Sequence, residues 1–204
     1  MPINTESESL FQSFMRGFAG AIQLGQRAQE NGSFIESVCL SACVIDALLR
    51  MGLILQNQLR TNSTEIIDDL LHQPDEAKIL TERAVYKLAL KQDLISPDLY
   101  ERLSDLYHER NRVVHRYIIS DITTEQVIIT AAKFADAVHE VNTCIRRIED
   151  EQIRLHKGLT TAGATIPDSV RKDLLKRFDA QLMKKHGNPN LARNLRADKK
   201  GGAT

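Results

Sequence analysis

Apolar residues recur along this chain every three or four positions and rarely every second one. That rhythm predicts helices that each bury one side. From about Ser7 to Gln29, the residues Phe11, Phe14, Phe18, Ile22 and Gly25 trace one stripe, with Gly17 and Gly20 beside it as points of close approach. Asn31-Gly32-Ser33 breaks the chain, and Ser33 with Glu36 reads as a capping box. A second helix follows from about Phe34 to Leu59 on the stripe Val38, Ala42, Ile45, Leu49 and Leu53. It is apolar around more than half its girth, which predicts the central helix of a bundle.

Asn62-Ser63-Thr64 is expected to cap a short helix through Ile66, Ile67, Leu70 and Leu71. Pro74-Asp75-Glu76 is expected to open the next helix, reaching Lys91, and Ser96-Pro97-Asp98 to open another that ends near Tyr117. Thr123-Thr124-Glu125 starts the last long helix. Its apolar residues Val127, Ala131, Phe134, Val138, Val141, Ile145, Ile148 and Leu155 fall close to a heptad rhythm, long enough to cross the bundle or meet a second copy. Gly158 to Ala164 reads as a linker, Pro167 as the start of a short amphipathic helix, and the residues from His186 onward as disordered. The predicted fold is all-α: an antiparallel bundle of about five helices over residues 6–157, with a basic extension over 158–204.

Composition agrees with this picture. Over 204 residues, 42% hydrophobic and 26% charged content supports a packed core, and 5% aromatics with no Trp argues against a β-sandwich or barrel. No stretch reads as the ~20 apolar residues of a membrane span, and the acidic N-terminus lacks a signal pattern, so the expectation is a cytoplasmic protein with no membrane partner. Cys39, Cys43 and Cys144 lie in apolar helical patterns and are expected to be reduced core thiols, with no metal or other cofactor implied. The zero net charge hides an asymmetry: residues 171–204 carry ten Lys/Arg against three Asp, a balance of +7, and residues 1–170 carry the matching −7. A basic tail of this kind meets nucleic acid, meets an acidic partner, or only solubilises.

The chemistry-bearing segment is Leu106-Tyr-His-Glu-Arg-Asn-Arg-Val-Val-His-Arg-Tyr117. Its apolar stripe runs Leu99, Leu103, Leu106, Val113 and Tyr117, and Arg110 takes a place where an apolar residue belongs. A guanidinium turned toward a core needs a partner, and Asp46 on the central helix is one candidate. Asp46 and Arg50, four apart, read either as an intrahelical pair, as a clamp between helices, or as a support for Arg110. Asn111 and His115 share a helix face. His115 lies five residues beyond Arg110, about 140° around an ideal helix. An Arg that holds a phosphate and a His that moves a proton near its ordinary pKa of ~6.5 form a minimal set for cleaving RNA without metal. Arg112 and Arg116 add positive charge in the same turns, and His108 and Glu109 are further candidates for lining the site. Arg102 with His108 also has Arg-to-His spacing, but Leu103 follows that Arg, so the pair is set aside as a decoy.

Arg110-Asn111-x3-His115 resembles the Arg-polar-x(3–5)-His motif of the HEPN domain family. Arg110-x4-His115-Arg116-Tyr117 is similar to the R-x4-H-x-Y form found in HEPN toxins paired with minimal nucleotidyltransferase antitoxins. With sixteen Arg and six His the spacing alone is common; Asn directly after the Arg makes it uncommon. The resemblance covers residues 6–157. It implies a helical bundle acting as a metal-independent endoribonuclease in toxin–antitoxin or anti-phage systems. Arg110 and His115 would be catalytic, Asn111 the polar helper and Tyr117 a site of adenylylation by an antitoxin. RNA would be the substrate, 2′,3′-cyclic phosphate the product and a homodimer cleft the setting. The rival readings are a non-catalytic HEPN-like module binding RNA, nucleotides or protein, and a plain helical scaffold.

Overall fold

A computed structural model describes residues 5–74 and 80–164. Among them the chain forms α1 (Thr5–Glu30), α2 (Phe34–Thr61), α3 (Asp68–Leu71), α4 (Glu82–Lys91), α5 (Pro97–Arg116), α6 (Thr124–Leu155) and α7 (Gly158–Ala164), with no strand. The all-α expectation holds. Residues 75–79 and 165–204 lie outside the described part, and with them the start expected at Asp75, the amphipathic helix after Pro167 and the basic tail.

The caps explain most of the helix boundaries. Ser96 accepts the Leu99 amide at 3.2 Å with Pro97 behind it, and Thr81 accepts the Ala84 amide at 3.3 Å. Thr123 and Gln126 form a full capping box at the start of α6. The box expected at Ser33 does not form: Ser33 makes no side-chain cap bond, and its carbonyl accepts the Ser37 amide instead. Asn62, read as a cap for the next helix, is the left-handed C-cap of α2.

The α2 stripe is buried as predicted, with Val38, Ala42, Ile45, Leu49 and Leu53 all within 1% of full burial. α2 touches every other helix. Its most apolar window has a mean hydropathy of 2.1, so by length and composition it could cross a membrane, contrary to the reading of the sequence. Here 61% of that window is buried inside the bundle. A close helix approach is seen at Gly52 of α2, where a Cβ would run into Ile145 and Leu94. On α1, Phe11 and Phe18 pack on the core, while Ile22 is exposed.

Contacts fix the helix directions. Leu55 and Gln58 of α2 meet Gln152 of α6, and at the other end Phe34 and Ile35 share a groove with Thr124 and Val127. Thus α2 and α6, the largest interface, run parallel. α5 runs against α6, since Glu109 meets Thr130 and Arg102 meets Glu140. The bundle is therefore antiparallel between α1 and α2, α4 and α5, and α5 and α6, but parallel at its centre.

Two expectations about the C-terminal part change. The near-heptad residues of α6 are turned inward: Val127, Ala131, Phe134, Val141 and Ile145 are each at most 5% exposed and pack within the chain. They are not free for a second copy. The stretch read as a linker is helical, because Gln152 and Gln58, both fully buried, tie it down. Gln152 Nε2 donates to the Leu55 carbonyl at 2.9 Å, and the Leu159 and Thr160 amides donate to Gln58 Oε1 and Gln152 Oε1 at 3.1 Å each. Gly158, at φ 74°, makes the turn, and any Cβ there would collide with Gln152.

Candidate active site at the C-terminal end of α5

α5 ends where α2, α4 and α6 begin, so the Arg110–Tyr117 segment sits among three helix N-termini. Their partial positive charges meet the partial negative end of α5, and Glu36, Glu82 and Glu125 lie in the three first turns, so a net positive charge here comes from the arginines and not from the helix dipoles.

Arg110 leaves the apolar stripe half-buried, its side chain 24% exposed. Its partner is not Asp46. Asp46 is held one turn along its own helix by Arg50 Nε at 2.6 Å, and Glu82 on the first turn of α4 reaches Arg110 Nη1 with Oε2 at 2.7 Å. The other Glu82 oxygen accepts a short hydrogen bond from the Tyr86 hydroxyl. Asn111 Oδ1 accepts from Arg110 Nε at 3.3 Å and from Nη2 at 3.0 Å. The Tyr107 ring lies against the same guanidinium, 5.0 Å from centroid to carbon. Arg110 is thus gripped from three sides by two helices.

His115 is exposed and has no hydrogen-bond or ion-pair partner among the described residues. Helix geometry places it 140° from Arg110 but only 40° from Asn111. Because the guanidinium bends onto Asn111, the arginine head moves toward the face that carries His115. The Asn111 hydrogen bonds narrow the angular gap that the spacing alone leaves.

The remaining candidates divide. Arg112 and Arg116 are exposed at the same end, as expected of positive charge near a phosphate. Tyr117 is half-buried in a groove of about 510 Å³ with Phe34, Ile35, Glu36 and Val127, and its hydroxyl shares a 2.9 Å hydrogen bond with Thr124. His108 is exposed and stands edge-on to Tyr107. Glu109 turns away toward α6, where it pairs with Lys133 at 2.6 Å and accepts from Thr130 at 3.0 Å. Arg50 is a structural clamp. It is 9% exposed and donates to the Leu80 carbonyl at 2.9 Å and to the Leu70 carbonyl at 3.4 Å, pinning the segments either side of residues 75–79 to α2. Asp46 and Arg50 therefore do not support Arg110 directly. The decoy Arg102 pairs with Glu140 on the surface.

Burial pushes the Asp46 carboxyl up from its ordinary range, against the pull of Arg50. Burial, reinforced by the Glu82 charge, pushes the Tyr86 hydroxyl far up, so it stays a proton donor. Cys39 and Cys43 face this region from α2. Burial raises both thiols, and Arg110 is close enough to oppose that rise. Of the three cysteines expected in the core only Cys144 is buried there; Cys39 is half-buried and the surface of Cys43 is exposed. Among the described residues no three His, Cys, Asp or Glu gather as a metal site requires.

Sequence reasoning missed Glu82 and Tyr86. The signal was present in Thr81-Glu82-x3-Tyr86, a cap followed by an acid and a tyrosine on one helix face. It was hidden because α4 was expected to begin at Asp75, which places Glu82 mid-helix.

Comparison of the chain with protein-family models, with curated proteins and with solved structures finds no match to any of them.

Proposed function

We propose that this protein is a metal-independent endoribonuclease of the HEPN type, acting as a toxin or defence effector. The observation that carries the reading is the guanidinium of Arg110 drawn onto Asn111 beside the face that presents a solvent-open His115. In the reaction, His115 removes the 2′-hydroxyl proton and the 2′-oxygen attacks the adjacent phosphorus. The bond to the 5′-oxygen breaks, that oxygen takes a proton from water, His115 returns its own proton to solvent, and a 2′,3′-cyclic phosphate remains. Arg110 offsets the charge that builds on the phosphoryl oxygens.

One Arg–His pair per chain makes a sparse site, and a second copy would supply the other half. The inward-facing α6 stripe leaves another surface for it. Ile118 and Ile119, just past the motif, are 94% and 80% exposed and form an apolar corner beside the Tyr117 groove. In a toxin–antitoxin setting a nucleotidyltransferase partner would modify Tyr117, whose hydroxyl must first leave Thr124.

The test is cleavage of RNA by purified protein in chelator. Loss in both Arg110→Ala and His115→Ala, with a cyclic phosphate product, supports the reading. Undiminished cleavage by either variant, or cleavage only with added divalent metal, ends it. Growth arrest on expression, relieved by His115→Ala, is the matching test in cells.

One observation favours a rival reading, a plain helical scaffold with Arg110 as a structural ion pair. The charge of Arg110 is already met by Glu82. Absence of both RNA cleavage and RNA binding, with a large stability loss in Arg110→Ala, would establish it.

A further inference from the structure

We infer that Glu82 is the positioning residue of the Arg110 site, and that Tyr86 keeps Glu82 from closing that site. The inference rests on the reading of Arg110 as a phosphate-binding group.

A carboxylate against such an arginine is at first sight an obstacle, since two anions would compete for one cation. The donor count resolves this. A guanidinium has five N–H groups. Asn111 takes one on Nε and one on Nη2, and Glu82 takes one on Nη1. One N–H remains on each terminal nitrogen; we place Glu82 on the Nη1 hydrogen that points back along the side chain, so that the two left point outward together, as a phosphate accepts bidentately.

Glu82 leaves them free because only one of its oxygens is available. The other is held by the Tyr86 hydroxyl, one turn along α4. Tyr86 is 1% exposed, and burial keeps its hydroxyl protonated, so the donor stays in place. A carboxylate released from Tyr86 could turn and take the guanidinium with both oxygens, the geometry Arg–carboxylate pairs favour. Tyr86 therefore holds Glu82 in single-oxygen contact. Glu82 in that state anchors the arginine head across α4 and α5, and its charge offsets the cost of half-burying it.

The experiment measures binding of a 2′-O-methyl RNA oligomer, which cannot be cleaved by 2′-oxygen attack, to the full chain. Tyr86→Phe keeps the ring and removes the donor. It is expected to weaken binding about tenfold, the cost of losing one charged hydrogen bond of a bidentate pair. In an Arg110→Ala background it is expected to weaken binding no further. Glu82→Ala, with one anchor of the guanidinium gone, should also bind more weakly. A role for Glu82 as bare negative charge would make that variant bind more tightly. Wild-type affinity in Tyr86→Phe, equal loss with and without Arg110, or tighter binding in Glu82→Ala each overturns the inference. Should Glu82→Ala fail to fold, Glu82→Gln replaces it. Cleavage is not the readout, so absence of nuclease activity would defeat the functional reading and leave this comparison decisive for Glu82 and Tyr86.

Discussion

Replacing Arg110 and His115 one at a time separates chemistry from architecture, because the two side chains are embedded so differently. Arg110→Ala leaves Glu82, whose side chain is 14% exposed, without its cation. Breaking a fully buried pair costs about 3–5 kcal/mol and an exposed one about 0–1, so this half-buried pair is worth about 2 kcal/mol. The hydrogen bonds to Asn111 and the contact with Tyr107 add about 1 kcal/mol more. A loss of about 3 kcal/mol lowers the melting temperature of a domain this size by roughly 6–12 °C. His115→Ala removes an exposed, unpartnered ring and changes stability by less than about 0.5 kcal/mol. Thermal melting and RNA cleavage are measured on both proteins. Both variants are expected to lose cleavage and only Arg110→Ala to lose stability. Arg110→Met with Glu82→Gln, which keeps an acceptor for Tyr86 and leaves no unpaired charge, should regain most of the stability and none of the cleavage. If His115→Ala melts as low as Arg110→Ala, or if Arg110→Ala melts with wild type, the description of the two environments is wrong.

Burial holds the Asp46 carboxyl above its ordinary 3.8, so the folded chain binds that proton more tightly than the unfolded chain. This contribution to stability is present in full below about 3.8 and is lost as pH rises through the folded value. The stability of wild type minus that of Asp46→Asn, measured by urea unfolding, should therefore fall as pH rises from 4 toward 7; a rise would mean that the attraction of Arg50 outweighs burial. Gln152→Ala should cost about 2–4 kcal/mol and abolish hydrogen-exchange protection at the Leu159 and Thr160 amides, since Thr160 loses its acceptor outright; retained protection would show that α7 docks without Gln152. Ile118→Asp with Ile119→Asp should yield a monomer by analytical ultracentrifugation where wild type is a dimer, and an unchanged dimer would move the interface elsewhere. Deleting residues 171–204 removes ten Lys/Arg and should flatten the salt dependence of RNA binding by about 0.7 in log–log slope for each phosphate released, whereas an unchanged slope would show that the tail makes no contact.

Periodicity made the core legible because burial there is set by spacing alone. The α2 stripe and the α5 positions Leu99, Leu103, Leu106 and Val113 are all buried as their three- and four-residue intervals require. The heptad rhythm of α6 was equally visible, yet spacing cannot say which surface receives the stripe. A parallel α2 received it, and the dimer surface it hinted at disappeared inside the bundle. The linker reading failed for a related reason. Gly-Leu-Thr-Thr-Ala-Gly-Ala has little helical drive of its own, and the order comes from two glutamines whose side chains reach its amides, Gln152 from the end of α6 and Gln58 from α2 about a hundred residues earlier.

The same distinction explains what was and was not visible of the candidate site. Arg110 stood out because a charge on an apolar stripe violates a one-dimensional pattern, and the violation implied that a partner existed. It did not identify the partner. Asp46 on the central helix was one candidate, but an arginine one turn away on its own helix had the shorter path to it. Glu82 won by topology: α4 and α5 are antiparallel neighbours, so the first turn of one meets the last turns of the other. Residues that touch a site from another helix leave no spacing signature with it. Where a charged residue interrupts a buried stripe late in one helix, the place to look for its partner is the capped first turn of the helix packed antiparallel to it.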